Sequence, residues 1–331
     1  MTSINLTLKE IEQLATDVFQ ANGCDEANTN ALVNTVVTAE RDGSHSHGMF
    51  RVPGYVAALR SGKVNGHAAP KVSNRTAAIV NVHGDNGYAP LAMQRGIPAL
   101  AEAAETVGVG VMAMTHVHHF AALWPETEAL AERNLIAMAC VCYMPSVAPA
   151  GGNQKLLGTN PMSFAWPRPG KTPFVFDMAT AAMALGEVQI AARDGRQVDE
   201  GVGLDSLGQP TTDPAEIVKG MLLPFGGHKG SAIAIMVELL ASAAINEQFS
   251  YEAKANDNGD GGPPRGGEFM LAISPELLAG EGWADHAEGF FEKLEAIEGT
   301  RLPGARRHTN RLSDEPRAIN ADLVEKVRGL L

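Results

Sequence analysis

Apolar positions near the start of the chain recur at helical spacing. Leu8, Ile11, Leu14, Ala15 and Val18 share one side of residues 7–19, and Thr7 with Glu10 makes a capping-box pair. Residues 25–40 repeat the pattern and lead into Arg41-Asp42-Gly43. A third helix is expected over residues 45–60, ending at Ser61-Gly62, so the first 62 residues read as a helical subdomain. From residue 71 the texture changes. Residues 77–82 are a short β-type run before an expected turn, His83-Gly84-Asp85-Asn86-Gly87. Residues 91–106 are alanine-rich and helical, 107–115 a strand, 126–133 a short helix and 135–143 an apolar strand. Residues 174–176 and 269–273 read as further strands, 230–245 as a buried helix and 256–267 as a long flexible loop. Residues 320–331 suit an amphipathic helix capped by Asn320.

Helices and strands mix without the βαβα alternation of a doubly wound sheet, so an α+β fold is expected rather than a Rossmann fold. In agreement, no Gly-x-Gly-x-x-Gly follows a strand, and Gly108-Val109-Gly110 lacks its third glycine. A P-loop sequence is absent too.

Composition narrows the function. The 331 residues are 45% hydrophobic and 19% charged, enough apolar material for a sizeable core. A net charge of −12 argues against nucleic acid or an anionic membrane as partner, though not against a small anion in a local basic pocket. Three cysteines and no secretory segment lead to an expected cytoplasmic location. The longest nearly apolar stretch, residues 231–245, holds Glu238 and is short for a bilayer.

Four segments carry candidate chemistry. Arg41-Asp42-Gly43-Ser44-His45-Ser46-His47-Gly48-Met49-Phe50-Arg51 packs two histidines, two serines and two arginines into eleven residues. It is either a polar helix start or an acid/base site, with His47 and Arg51 one helical turn apart facing a carboxylate substrate. His116-Val117-His118-His119-Phe120-Ala121-Ala122-Leu123-Trp124-Pro125 follows a strand and is either a plain strand-end loop or a ligand site. Leu157-Gly158-Thr159-Asn160-Pro161 and Phe176-Asp177-Met178-Ala179-Thr180 are turns by local chemistry alone. Pro224-Phe225-Gly226-Gly227-His228-Lys229-Gly230-Ser231 opens a long helix, so its free amides and Lys229 suit either simple capping or a phosphate. No metal is expected, because His45 and His47 lack a third ligand at suitable spacing.

In this order, Arg41 to Gly48, His119-Phe120, Gly158-Thr159-Asn160-Pro161 and Gly226-Gly227-His228-Lys229-Gly230 resemble the malate/L-lactate dehydrogenase family of NAD(P)H enzymes, over nearly the whole chain. Residues 119–125 and 223–231 are most similar to its Δ1-piperideine-2-carboxylate/Δ1-pyrroline-2-carboxylate reductase branch. The resemblance implies NADPH as cofactor, with NADH weaker, and reduction of cyclic ketimines to L-pipecolate and L-proline. It implies His47 as proton donor, with Ser46 and a carboxylate in the relay. Arg51 and Thr159 would bind substrate. His119, Phe120, Ala121, Ala122, Leu123, Asp177, Met178, Ala179, His228, Lys229, Gly230, Ser231, Ala232 and Ile233 would hold the cofactor, with Arg301 and Arg306 near a 2′-phosphate. It implies a homodimer, a helical substrate-side subdomain over 1–75 joined by C-terminal helices in 290–331, and a cofactor domain over 76–289.

One position departs from the branch: its aspartate is Glu187 here, one methylene longer. An extra methylene moves a carboxylate by about an ångström, enough to disturb a relay. Alternatives that the sequence leaves open are a 2-keto acid dehydrogenase on the same fold, an NADPH-binding protein without turnover, and a metal-dependent hydrolase built on His45, His47, His118 and His119.

Overall fold

The structure, a computed structural model, describes residues 2–331. The chain opens with strand β1 (Ser3–Leu6), helix α1 (Leu8–Ala21) and helix α2 (Glu26–Arg41). The Thr7–Glu10 capping box is formed, with Glu10 N donating to Thr7 Oγ1 and Thr7 N to Glu10 Oε2. The expected helix over 45–60 is instead two 3₁₀ turns, His45–His47 and Met49–Arg51, followed by α3 (Val52–Arg60). The cause is the buried Glu40 carboxylate, which accepts from Met49 N at 2.8 Å and meets His45 Nδ1 at 2.9 Å. A Cβ on Gly48 would overlap that carboxylate, so the chain wraps Glu40 at a glycine rather than coiling past it. His47 and Arg51 are therefore not a helical pair.

Next come β2 (Lys71–Asn74), β3 (Ile79–Tyr88), α4 (Ala89–Val107), β4 (Val109–His118), α5 (Trp124–Ala131), β5 (Ile136–Val141), β6 (Met162–Trp166) and β7 (Phe174–Met178). The expected turn at 83–87 lies within β3. Its pairing with β4 shifts register between His83 and Gly87, where Asp85 and Asn86 take positive φ, so the turn signal marks a bulge. An insertion follows: α6 (Leu185–Arg193), β8 (Gly203–Leu204), β9 (Pro210–Thr211), α7 (Pro214–Lys219) and β10 (Met221–Leu222). The chain ends with α8 (His228–Ala241), α9 (Ser250–Ala255), β11 (Arg265–Ile273), α10 (Pro275–Ala279), α11 (Trp283–Glu295), α12 (Ala305–Arg311), β12 (Arg317–Asn320) and α13 (Ala321–Arg328). Seven strands form one sheet in the order β2-β3-β4-β11-β5-β6-β7. Only β3 and β4 run parallel, joined by α4, and every other pair is antiparallel. The architecture is α+β and outside the doubly wound class.

Three main cores hold the molecule. Val80, Met112, Met114, Leu123, Leu130 and Met270 pack between the sheet, α4 and α5. Ile11, Phe19, Leu32, Tyr55, Val324 and Val327 join α1, α2, α3 and α13, clasped by the antiparallel β1–β12 pair. Val147, Val188, Ile217, Leu222 and Ala234 pack the insertion onto α8. Helix α11 lies at the β7 edge, with Phe291 5.8 Å from Phe174 and Glu288 paired with Arg168 at 2.6 Å. The 256–267 segment is tied down rather than free. Lys63 Nζ meets Asp260 at 2.6 Å and Asp257 at 3.2 Å, and β11 begins at Arg265.

Helix α8 is shorter and less buried than its sequence suggests. It ends at Ala241, and Ile235, Met236 and Leu239 are exposed while Ala234, Val237 and Ala241 are buried. Buried Glu238 accepts from Asn160 Nδ2 at 2.8 Å, Ser250 N at 3.1 Å and Ser250 Oγ. Truncating it leaves those donors unpaired, so Glu238→Ala should cost about 3 kcal/mol of unfolding free energy. A urea midpoint equal to the parent's would refute this.

Candidate active site

The helical N-terminal segment and the sheet border a cavity of about 270 Å³. Its wall takes Ser44, Ser46, His47 and Arg51 from the 3₁₀ turns, His119 to Trp124 from the loop after β4, and Tyr143, Thr159 and Pro161 from segments flanking β5 and β6. Asp177, Met178 and Ala179 come from the end of β7, Gly186 and Glu187 from the start of α6, and Arg306 and Arg307 from α12. A wider cleft of about 760 Å³ shares Arg51, Phe120 and Tyr143 with it.

Buried charges brace this wall. Asp177 Oδ2 accepts from Leu123 N at 2.8 Å and Trp124 N at 3.0 Å, fixing the loop at the start of α5. Burial raises the Asp177 carboxyl above its ordinary range in spite of those amides. Arg311 reaches from α12 to Asp42 at 2.6 Å and Glu128 at 2.7 Å, and Trp124 Nε1 also donates to Asp42. Asp42, conspicuous beside the serine–histidine run, is thus a structural anchor.

His47 Nδ1 lies 3.2 Å from Ser46 Oγ and 3.3 Å from Ser44 Oγ. Burial, then the nearby Arg51 and His119, push its pKa down to about 3. Arg51 donates from Nε to Ser46 O at 2.7 Å and stacks over Phe120 with its guanidinium carbon 4.7 Å from the ring centre. Among the described residues no carboxylate pairs with it. The room for it is tight: a Cβ on Gly186 would come 2.9 Å from Arg51 Nη2 and 3.1 Å from Ser46 Cβ. Thr159 gives its carbonyl to Thr180 N and Oγ1, both at 2.9 Å.

Behind the loop, His119 Nε2 lies 3.2 Å from Glu268 Oε2 and 3.9 Å from Glu126 Oε1, contacts that lack hydrogen-bond alignment. Burial alone would lower the imidazole's pKa, but the two carboxyl groups override it and hold His119 at about 10. Burial and Glu268 push the Glu126 carboxyl up. The cluster balances its charge internally, with a cationic imidazole against the two acids.

The cavity thus gathers Ser46, His47, Arg51, His119, Phe120, Ala121, Ala122, Leu123, Thr159, Asp177, Met178, Ala179, Glu187 and Arg306. Glu187 is exposed, and its side chain makes no hydrogen bond to Ser46 or His47. Its charge adds to that of Glu40 in raising the His45 pKa. His228, Lys229, Gly230, Ser231, Ala232, Ile233 and Arg301 lie outside this wall. Ser231 Oγ instead accepts from Ala150 N at 3.2 Å. Glu126, Glu268 and Tyr143 went unnoticed in the sequence. Glu268 had one readable signal, a lone acid in an apolar strand.

A mainly antiparallel sheet, with a histidine and an arginine lacking a carboxylate partner in one cavity wall, accords with a dehydrogenase-type oxidoreductase outside the Rossmann class. A sequence profile of the malate/L-lactate dehydrogenase family matches residues 6–327, and the chain belongs to that family of pyridine-nucleotide-dependent enzymes. It is 43% identical over 330 residues to the Δ1-pyrroline-2-carboxylate/Δ1-piperideine-2-carboxylate reductase of Pseudomonas putida, covering 99% of this chain and 96% of that protein. The crystal structure of Δ1-piperideine-2-carboxylate reductase from Pseudomonas syringae pv. tomato superposes with a TM-score of 0.93 at 40% identity, covering 99% of this chain and 100% of that one. Sulfolactate dehydrogenase from Methanocaldococcus jannaschii gives 0.88 at 28% identity, covering 99% and 96%.

Proposed function

We propose that this protein reduces cyclic ketimines with a 2-carboxylate, Δ1-pyrroline-2-carboxylate to L-proline and Δ1-piperideine-2-carboxylate to L-pipecolate, at the expense of NADPH. The observation that carries the chemistry is His47 and an Arg51 without a carboxylate partner in one small cavity wall. The reductase relatives of 40% and more identity favour a C=N substrate over a 2-keto acid.

The residues present suit an anionic dinucleotide. Arg306 is exposed at the cavity wall with no ion-pair partner among the described residues. Helix α8, 14 residues long, starts after Gly226 and Gly227, both at positive φ, with no side-chain cap on its amides and with Lys229 exposed. Phe225 N donates to Thr180 O, next to Ala179 of the cavity wall, so the helix start adjoins the site. These features support residues 228–233 and Arg306 as holders of the phosphates, residues 119–123 and 177–179 as the nicotinamide end, and NADPH over NADH. Arg301 is exposed on the approach to α12 and keeps its place as an outer 2′-phosphate contact.

When bound, a reduced nicotinamide supplies hydride to C2 of the imine. Arg51 grips the substrate carboxylate with its guanidinium edge and fixes which face of C2 is presented. Thr159 contacts the ring. His47 delivers the proton that the ring nitrogen takes as the C=N π pair is released onto it, leaving a secondary amine. Burial is the main cause that depresses His47, and a carboxylate against Arg51 offsets the next one, so substrate binding raises the imidazole's proton affinity. Ser46 and Ser44 orient the ring. Glu187 acts in this relay only after α6 shifts toward Ser46. Buried thiols at Cys24, Cys140 and Cys142 accord with a reducing cytoplasm, and the exposed apolar side of α8 offers a surface to a second copy in a homodimer.

The deciding experiment is loss of NADPH absorbance with the two imines and pyruvate in parallel, repeated with NADH. Fast oxidation with the imines and little with pyruvate is expected. Pyruvate turnover alone would move the protein to 2-keto acid reduction, and silence in every assay would leave a nucleotide-binding protein.

A further inference from the structure

The His47 wall has two sides. Behind the 119–125 loop lies a second cavity of about 200 Å³, between α2, α4 and α5. It shares His47, Ala121, Ala122 and Trp124 with the front cavity. Its rim carries the exposed side chains of Asn34 and Gln94, and half-buried Thr38 lies deeper along α2. At its inner end stands Glu126, 7% exposed, whose Oε2 has no hydrogen-bond partner in the protein. The other oxygen of that carboxyl faces His119 at 3.9 Å, and His119 borders the front cavity. A chamber with mainly apolar walls, and with polar side chains at Asn34, Thr38, Gln94 and Glu126, therefore runs from the surface to the rear of His47. At about 30 Å³ per water it has room for several molecules.

We propose that this rear chamber is the proton entrance of the enzyme, carrying solvent protons to His47 while substrate and nicotinamide block the front. The inference rests on His47 being the acid. Each turnover consumes one hydride from NADPH and one proton from water. The C=N bond becomes CH–NH, and His47 is left neutral until a new proton reaches it. The groups facing His47 make the front a poor source. Arg51 and His119 are cations there, and Arg307 adds a third positive charge across the cavity. Ser44 and Ser46 occupy Nδ1 from the front wall, the side that substrate and nicotinamide would cover, and Glu187 makes no hydrogen bond to the ring. On the rear side the nearest ionisable group is Glu126, an acid able to pass a proton to water beside His47.

The test is to plug the chamber from its outer half. Ala129→Leu on α5 and Gln94→Leu on α4 put apolar bulk into it without touching the front wall. The expected result is a kcat about tenfold lower with unchanged KM and NADPH affinity. The solvent deuterium isotope effect on kcat should rise. Proton uptake when L-proline binds, followed with a pH indicator in stopped flow, should slow at constant amplitude. Ala129→Ser, small and polar, should keep parental values. If Ala129→Leu does not fold, Gln94→Trp at the exposed rim decides the matter. Plugged variants with parental melting temperature, kcat, isotope effect and uptake rate would overturn the entrance. His47→Asn separates the two claims. If it still turns over at the parental rate, the acid assignment itself has failed. If it is inactive while the plugs have no effect, only the entrance has.

Discussion

His47→Asn should lower kcat about a thousandfold while leaving the NADPH dissociation constant within about twofold, the span expected for losing a general acid. Asparagine preserves a polar group that Ser44 and Ser46 can bond, so a loss of rate would report the missing proton rather than a collapsed turn. A second signature comes from linkage. The folded protein holds His47 at about 3 against an ordinary 6.5, so the unfolded chain binds the extra proton between those values. That part of the stability is present above pH 6.5 and is lost as the pH falls toward 3. His47→Asn should flatten the acid limb of the stability curve. His119 acts in the opposite sense: its raised pKa contributes stability below 6.5 that is lost as the pH climbs through 10. A variant with parental kcat and an unchanged acid limb would remove His47 from the mechanism.

Local chemistry was legible in this sequence and long-range pairing was not. The Thr7–Glu10 box and the Asn320 cap, which accepts from Leu323 N at 3.0 Å, need only three or four neighbouring residues and stand as expected. The 45–60 segment is an α-helix only from Val52, because Glu40, outside the window, occupies the space its first turns would use. The central strand β11 lies between β4 and β5, though it follows them by more than a hundred residues, and no periodicity reveals that placement. It brings Glu268 under His119, which is why the most strongly charged part of the site was invisible beforehand. The motif residues met in one cavity wherever a strand end or a buried brace such as Asp177 holds them there. The α8 start adjoins the cavity without lining it, because Asn160 and Ser250 hold the helix through Glu238. Resemblance named Glu187 by alignment, but geometry places its carboxylate at the solvent edge.

Arg51→Ala should raise KM for the imine about a hundredfold, with a smaller fall in kcat. Losing a charge-assisted pair with a carboxylate costs about 3 kcal/mol, roughly two powers of ten in affinity. The KM effect should dominate because the guanidinium grips a group that carries its charge before and after hydride transfer, so substrate and transition state lose the contact together. Some kcat should also go, since Arg51 Nε holds Ser46 O at 2.7 Å and so steadies the His47 turn. Arg51→Lys retains the charge but not the planar fork or the stacking on Phe120, and should recover only part of the affinity. Added guanidinium should partly rescue the alanine variant by filling the vacated space under Gly186. The contrast with His47→Asn is the useful quantity. A clamp and an acid predict opposite splits between KM and kcat, and a merely structural pair would depress both alike. An Arg51→Ala enzyme with parental KM for a carboxylate substrate would show that this unpaired cation faces something other than the substrate.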